Sequence, residues 1–178
     1  MNDYSNHYEQ IRKELVETVE PNIYYCYQCG KCTAGCPLSD VYEWQPNEVI
    51  RLIQLDKVDS IVNSNSVYLC ISCEICSSRC PQEVNIAAVM SHIRVKSWQY
   101  RLFKLKEISN FYKIFLRITA LIGRSYEPLL ILTLNLLNKR IFNDFELMPG
   151  ILRRRKIKML PEPVKNRKEI FEIIKKYL

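Results

Sequence analysis

Apolar residues recur at every third or fourth position in several stretches of the chain, which is the spacing of one face of an α-helix. The first stretch precedes all the cysteines and comprises Tyr8, Ile11, Leu15 and Val19. Pro21 follows directly, and proline disfavours the continuation of a helix because it has no backbone N–H. The pattern predicts an amphipathic helix that ends before Pro21.

Two further stretches show the same period, one in the middle of the chain and one beyond it. In WQPNEVIRLIQLDK, Pro46 stands where a helix begins. The positions predicted to face inward are Val49, Ile50, Leu52 and Ile53. Farther on, Asn85 can cap another helix. Its apolar positions are Ile86, Val89, Met90 and Ile93. These helices predict an all-α fold in which the cysteine-rich segments are interhelical loops.

The last part of the chain carries three more helical patterns. Over residues 108–122 the predicted apolar side is Ile108, Phe111, Phe115, Ile118 and Ile122. A second helix begins near Glu127-Pro128, runs to about Asn138, and is apolar on nearly all sides from Leu129 to Leu137. Such a helix is hard to solvate, so we expect it to be buried or covered by another chain. The closing stretch, KNRKEIFEIIKKYL, reads as an amphipathic helix.

Charge divides the chain into two parts. Residues 1–97 carry 8 basic and 12 acidic side chains, whereas residues 98–178 carry 18 and 7. We therefore expect a domain over residues 1–100 and a basic helical extension over residues 101–178 that docks other subunits. A basic run, Arg153 to Lys158, adds to the charge of this extension.

All eight cysteines lie in two copies of one pattern, C-x2-C-x2-C-x3-C-P. The copies are CYQCGKCTAGCP, residues 26–37, and CISCEICSSRCP, residues 70–81. A disulfide framework would give no reason for the equal spacing, and a zinc ribbon would leave the third and fourth cysteines without a role. Two [4Fe–4S] clusters account for every position, because three closely spaced thiolates wrap one cube and the fourth comes from elsewhere.

In two-cluster proteins with this spacing, the fourth cysteine of each copy ligates the other copy's cluster. The spacing therefore predicts a first set, the Cys26 cluster, consisting of Cys26, Cys29, Cys32 and Cys80. The second set, the Cys70 cluster, consists of Cys70, Cys73, Cys76 and Cys36. Pro37 and Pro81 turn the chain away after the fourth cysteine. His7 and His92 receive no role as ligands, since the cysteines supply all eight sites.

Charged residues within the motifs bear on the reduction potentials. Lys31 lies in the first motif and Glu74 in the second, and a nearby positive charge favours the reduced cluster. Arg79, in the second motif, reduces the difference in potential expected from Lys31 and Glu74. The sequence thus predicts the higher potential for the Cys26 cluster.

Several kinds of chemistry are absent from the sequence. Four glycines, at Gly30, Gly35, Gly123 and Gly150, cannot form a G-x-G-x-x-G or phosphate loop. The cysteines are all assigned as ligands, and no paired carboxylates stand out as acid and base. We therefore expect one-electron transfer without a catalytic residue. The N-terminus has no signal-peptide pattern, and no charge-free apolar stretch approaches the roughly 20 residues of a membrane span, so we expect a cytoplasmic protein.

The two motifs, the long helical connection and the tail PGILRRRKIKMLPEPVK resemble the iron–sulfur C subunit of heterodisulfide reductases over nearly the whole chain. The resemblance implies an electron-relay role, itself non-catalytic, in an oxidoreductase acting on the coenzyme M–coenzyme B heterodisulfide in methanogenesis. It also implies two partners, a flavin-containing A subunit that donates electrons and a catalytic B subunit that reduces the disulfide. A hydrogenase or formate dehydrogenase would act indirectly, upstream of the complex.

One alternative remains open on the residues alone, an iron–sulfur redox sensor that binds nucleic acid or a regulator through its basic half. The chain has no recognised nucleic-acid-binding motif, so we expect no nucleic-acid partner. The sequence leaves the disulfide substrate and the upstream donor open.

Overall fold

The computed structural model describes residues 2–102, 105–137 and 164–175, and every regular element within these ranges is a helix. The predicted all-α class is confirmed for this part of the chain. The chain divides into two compact units, Met1–Leu105 and Lys106–Leu178. The separate roles predicted for residues 1–100 and 101–178 stay a prediction. The basic run from Arg153 to Lys158 lies outside the described residues.

The first unit begins with α1 (Asn2–Glu14), which continues into one π-helical turn, Leu15–Val19. A 3₁₀ turn, Pro21–Tyr25, then leads into the first motif. Ile11 and Leu15 of the predicted stripe are fully buried, as is Ile23 beyond it, whereas Tyr8 and Val19 are half-buried. These two turns connect α1 to the first motif.

The connection between the motifs is helical, as the sequence predicts. After the short helix α2 (Lys31–Ala34), helix α3 (Pro46–Gln54) begins at its proline, and Glu48 accepts the Gln45 N–H at 2.8 Å. Val49, Ile50 and Ile53 are fully buried, while Leu52 is half-buried. Two shorter helices, α4 (Val58–Val62) and α5 (Ser66–Leu69), complete the connection and lead to the second motif.

The second motif contains α6 (Ile75–Ser78) and is followed by the long helix α7 (Ile86–Gln99). Asn85 caps α7 by accepting the Ala88 N–H at 3.0 Å, which confirms its predicted role. The predicted inward positions are all buried, namely Ile86, Val89, Met90 and Ile93.

An ionic contact ties α1 to α7. The Glu14 carboxylate lies 2.7 Å from the Lys96 ammonium and 3.0 Å from His92 Nε2. The hydrogen bond from Lys96 is the main cause that lowers the pKa of Glu14. His7 stacks on Tyr100 with ring centroids 4.3 Å apart. Both histidines therefore make side-chain contacts within the first unit.

The second unit contains α8 (Lys106–Ile122), α9 (Glu127–Leu137) and α10 (Arg167–Lys175). Gly123, at φ +87°, ends α8, and the Val164 N–H donates to Ile122 O at 3.1 Å. The apolar side predicted for α8 is only partly right. Ile118 is buried, but Phe111 is 40% exposed and Ile114 is buried instead, so the buried side is rotated from the predicted one.

Helix α9 is apolar on nearly all sides, as predicted, and none of its residues is classed as buried. Leu132 and Leu136 are 63% and 64% exposed. Among the helices that the structure describes, none combines the length and apolar character needed to cross a membrane.

The core of the first unit predicts the effect of truncating a side chain in α7. Ile93→Ala should lower the free energy of unfolding by about 2–5 kcal/mol, because Ile93 is fully buried and the change leaves a cavity. Val95→Ala, on the same helix but 51% exposed, should change it by less than about 0.5 kcal/mol. Thermal denaturation of the cluster-loaded proteins followed by circular dichroism gives the comparison. Equal midpoints for the two variants would contradict this account of the core.

Candidate iron–sulfur site

The two cysteine motifs have the same backbone conformation. In the first, Gln28 and Gly30 have φ values of +61° and +76°, and in the second, Ser72 and Glu74 have +54° and +61°. Positive φ is uncommon for residues other than glycine and often marks functional loops. Both loops therefore curl in the same way between their first and third cysteines.

A hydroxyl group anchors each motif to the helix that follows it. The residue after the third cysteine is Thr33 in the first motif and Ser77 in the second. Thr33 Oγ1 accepts the N–H of Asn47, the second residue of α3, at 3.4 Å. Ser77 Oγ accepts the N–H of Ala87, the second residue of α7, at 3.1 Å. The start of each helix is thus fixed against its own motif.

A long polar side chain makes a second equivalent contact. Gln54, the ninth residue of α3, donates from Nε2 to Cys26 O at 3.2 Å and to Ile23 O at 2.9 Å. Arg94, the ninth residue of α7, donates from Nη1 to Cys70 O at 2.7 Å. The repeat therefore extends from the cysteines into the two supporting helices.

The cysteine spacing alone does not reveal this longer repeat. The motifs begin 44 residues apart, at Cys26 and Cys70, whereas the helices begin 40 residues apart, at Pro46 and Ile86. The contacting side chains also differ in type, because Gln54 corresponds to Arg94. The positions of these residues relative to their helix starts are the signal that could have revealed it.

The structure brings the second predicted set together. One cavity is lined by all four cysteines of that set, Cys36, Cys70, Cys73 and Cys76. Apolar atoms of Met90, Ala87 and Leu38 close its sides. Tyr42 lies beside it, and burial together with the neighbouring Cys70 and Cys36 thiols raises the pKa of the Tyr42 hydroxyl. Cys36 thus lies with the cysteines of the other motif.

Three cysteines of the first predicted set, Cys26, Cys29 and Cys80, lie near Tyr27. The pKa of the Tyr27 hydroxyl is raised, mainly by partial shielding from solvent. The neighbouring thiols of Cys29, Cys80 and Cys26 raise it further. Cys80 Sγ accepts the Val84 N–H at 3.4 Å, and Cys26 Sγ accepts from Gln28 Nε2 at 3.4 Å. Cys80 therefore lies close to the first motif.

A buried carboxylate joins the two segments that carry Cys26 and Cys80. Glu20 is 5% exposed and precedes the first motif. Its Oε1 accepts the Asn22 N–H at 3.1 Å, and its Oε2 accepts the Asn85 N–H at 2.5 Å. Because Asn85 follows the second motif, this one side chain links the approach to one motif with the exit from the other.

The cysteines differ in exposure. Cys29 and Cys73 are exposed, whereas Cys32 is 7% exposed. Burial raises the pKa of the Cys32 and Cys76 thiols, and hydrogen bonds from Thr33 and Ser77 oppose that rise. Each predicted set therefore has one exposed cysteine, while the remaining cysteines are half-buried except for the buried Cys32.

The donor set fits [4Fe–4S] clusters. All eight cysteines are free thiols. The described residues contain no group of three His, Cys, Asp or Glu side chains arranged around a single metal ion. A cubane presents four separate irons, and each thiolate would bind one of them.

Comparison with known proteins identifies the cysteine-rich region. Residues 25–85 match the 4Fe-4S dicluster domain. This dicluster domain includes both motifs, all eight cysteines and the helical connection between them. The predicted cofactors, two [4Fe–4S] clusters, are confirmed by the match.

Curated relatives of the chain are named as heterodisulfide reductase subunits. The iron–sulfur C subunit of the CoB–CoM heterodisulfide reductase of Methanopyrus kandleri is 33% identical over 90 residues, 46% of this chain and 47% of the relative. The C2 subunit of the H₂/formate:CoB–CoM heterodisulfide,ferredoxin reductase of Methanococcus maripaludis is 36% identical over 69 residues, 39% of this chain and 37% of the relative.

These relatives confirm the predicted resemblance to the C subunit of heterodisulfide reductases. The chain spans less than half the length of each of these two relatives, and less than half of this chain is matched. The sequence suggested a resemblance over nearly the whole chain, but these matches cover less than half of it. The family match itself covers residues 25–85, the dicluster domain.

Glu20 provides a test of the link between the motifs. Glu20→Ala should leave the Asn22 and Asn85 N–H groups without this acceptor, at a cost of about 1.5–3 kcal/mol for each lost bond. We expect a lower thermal midpoint and less iron retained per chain after gel filtration. Glu17→Ala, at an exposed position three residues earlier, is the matched control. Full iron retention in Glu20→Ala would show that the link is dispensable.

Proposed function

We propose that the chain is an electron-transfer subunit of a heterodisulfide reductase-type complex that passes single electrons through two [4Fe–4S] clusters. The observation that carries this proposal is the pairing of two equivalent motifs in one unit, each with one exposed cysteine. Helices α2 and α6, one from each motif, pack against each other. Two adjacent cofactors with separate surface positions suit a relay between two partners.

The proposed ligands of the Cys26 cluster are Cys26, Cys29, Cys32 and Cys80. Those of the Cys70 cluster are Cys70, Cys73, Cys76 and Cys36. The cavity at the second motif and the position of Cys80 near Tyr27 support the crossover. The bound clusters would supply one-electron redox chemistry. The chain's own residues hold the thiolates, shield Cys32 from water and leave Cys29 and Cys73 accessible to partners.

The proposed partners are a flavin-containing A subunit and a disulfide-reducing B subunit, with a hydrogenase or formate dehydrogenase acting indirectly. The names of the relatives support a heterodisulfide as the final acceptor, and one of them includes H₂ and formate. In this proposal the chain holds no catalytic residue. It supplies a fixed route for electrons between two larger subunits.

The C-terminal helices are the proposed docking element. Helix α9 exposes Leu132 and Leu136, and α8 exposes Leu121 by 66%. An exposed apolar surface suits the centre of a protein interface, and charged residues of the same part of the chain suit its rim. Basic residues predominate over residues 98–178, where 18 stand against 7 acidic ones.

Ligand crossover can be tested by two serine variants. Cys80→Ser should damage the cluster held by Cys26, Cys29 and Cys32, and Cys36→Ser should damage the one held by Cys70, Cys73 and Cys76. Electron paramagnetic resonance of the reduced proteins, with iron determination, measures the loss against ~8 irons per chain in the unaltered protein. If each variant damages only the cluster of its own motif, the crossover assignment is wrong.

Docking can be tested in the full-length chain. The double variant Leu132→Glu/Leu136→Glu should weaken assembly with the flavin-containing and disulfide-reducing partners roughly tenfold or more, because each leucine would lose about 1.5–3 kcal/mol of apolar burial. The control is Leu55→Glu, a leucine of the first unit that is 48% exposed. Anaerobic copurification and disulfide turnover give the readouts. Normal assembly of the double variant would exclude α9 from the interface.

A further inference from the structure

The ninth residue of the supporting helix differs in charge between the two halves of the repeat. Gln54 and Arg94 both donate to the carbonyl oxygen of the first cysteine in their motif. The side chain is a neutral amide beside Cys26 and a guanidinium beside Cys70. The backbone contact is therefore the same in both halves of the repeat, while the charge is not.

Two hydrogen bonds hold the Arg94 guanidinium against the loop of the second motif. Nη1 donates to Cys70 O at 2.7 Å, and Nη2 donates to Ser72 Oγ at 3.1 Å. Ser72 also contacts Ser91 on α7, with 3.2 Å between their hydroxyl oxygens. Arg94 is half-buried, and these two bonds hold its charge beside Cys70 and Ser72 of the second motif.

The other charges in the motifs are placed differently. Lys31 and Glu74 are exposed, so salt and water screen them more strongly than a half-buried group. The side chain of Arg79 lies across Gly35 of the first motif, where an added Cβ would stand 2.7 Å from Arg79 Cδ. Arg79 therefore lies beside both motifs, and its charge contributes little to a difference between the two reduction potentials.

A hydrogen bond from Gln28 favours a higher reduction potential for the Cys26 cluster. Its Nε2 donates to Cys26 Sγ at 3.4 Å, and hydrogen bonds to ligand sulfur raise cluster potentials. This donor is neutral and the bond is long, whereas Arg94 carries a full charge. Charge near a cluster therefore favours the second motif, opposite to the order that Lys31 and Glu74 alone predict.

We propose that Arg94 is a potential-setting residue, which raises the reduction potential of the Cys70 cluster and makes it the preferred site of a transferred electron. Its guanidinium would stabilise the additional negative charge of the reduced cluster by direct electrostatic attraction. This inference rests on the proposed two-cluster relay and its ligand sets. Arg94 is not a ligand. It would act on the cluster through the electric field of its positive charge.

The test exchanges the two side chains of the repeat. Arg94→Gln should shift the equilibrium for electron exchange between the clusters at least tenfold towards the Cys26 cluster, which equals 59 mV for a one-electron couple. A glutamine retains a donor for Cys70 O, as Gln54 does for Cys26 O, so the change removes mainly the charge. Gln54→Arg should shift the equilibrium in the same direction by raising the potential of the Cys26 cluster.

The measurement is an anaerobic redox titration of the full chain followed by electron paramagnetic resonance. The signals are assigned with the Cys36→Ser and Cys80→Ser variants. Arg94→Lys, which keeps the charge, should give less than half of the Arg94→Gln shift. The Arg94→Gln shift should persist at high salt, whereas any shift in Lys31→Gln should shrink because Lys31 is exposed.

The proposal is overturned if the separation of the two potentials stays unchanged in both Arg94→Gln and Gln54→Arg. Should Arg94→Gln fail to assemble the Cys70 cluster, Gln54→Arg decides, because it leaves the second motif intact. A wild-type chain that binds fewer than two clusters would instead refute the proposed relay. Two clusters with unaltered potentials in the variants would refute only the role of Arg94.

Discussion

The link between Glu20 and the Asn85 N–H is the interaction on which the arrangement of the two motifs depends. A charged carboxylate is costly to bury unless hydrogen bonds satisfy it. Here the bonds come from Asn22 and Asn85, on opposite sides of the cysteine-rich region. The long helical connection leads away from the first motif and returns to the second. Glu20 fixes where that return ends, and it does so next to the start of α7.

Helices α3 and α7 then hold the two cysteine loops in place. Each helix uses its second residue to hold the hydroxyl after the third cysteine and its ninth residue to hold the carbonyl of the first cysteine. These contacts fix both ends of a curled segment whose residues have positive φ. Loop conformation therefore depends on α3 and α7, and not on the cysteine spacing alone. The ionic contact of Glu14 with Lys96 adds a connection from α1 to the same helix α7.

Local patterns were sufficient to predict much of this molecule. Pro46 and Asn85 identified two helix starts, and the 3.6-residue period selected the buried faces of α3 and α7. The period was less reliable in α8, where Phe111 is exposed and Ile114 is buried. That helix carries apolar residues on more than one side, so tertiary packing decides which of them are buried.

The site was predictable to the extent that it depends on spacing. Eight cysteines in two equal patterns identified the cofactors, which the dicluster match confirms. Contacts between distant segments were not predictable, because nothing local distinguishes Glu20 or Arg94 from surface residues. Both are charged, and charged residues are mostly exposed. Their importance depends on partners 65 and 24 residues away in the sequence.

The contact between Arg79 and Gly35 limits how alike the two halves of the repeat can be. Gly35 has an ordinary negative φ, so its backbone does not require glycine, and the missing side chain leaves room for the Arg79 side chain. Gly35 and Arg79 occupy the same position in the two motifs, one before the fourth cysteine. Two arginines would compete for the same space, and two glycines would leave it unfilled. At this position the two motifs are therefore complementary in size, and making the two halves identical here would remove this contact.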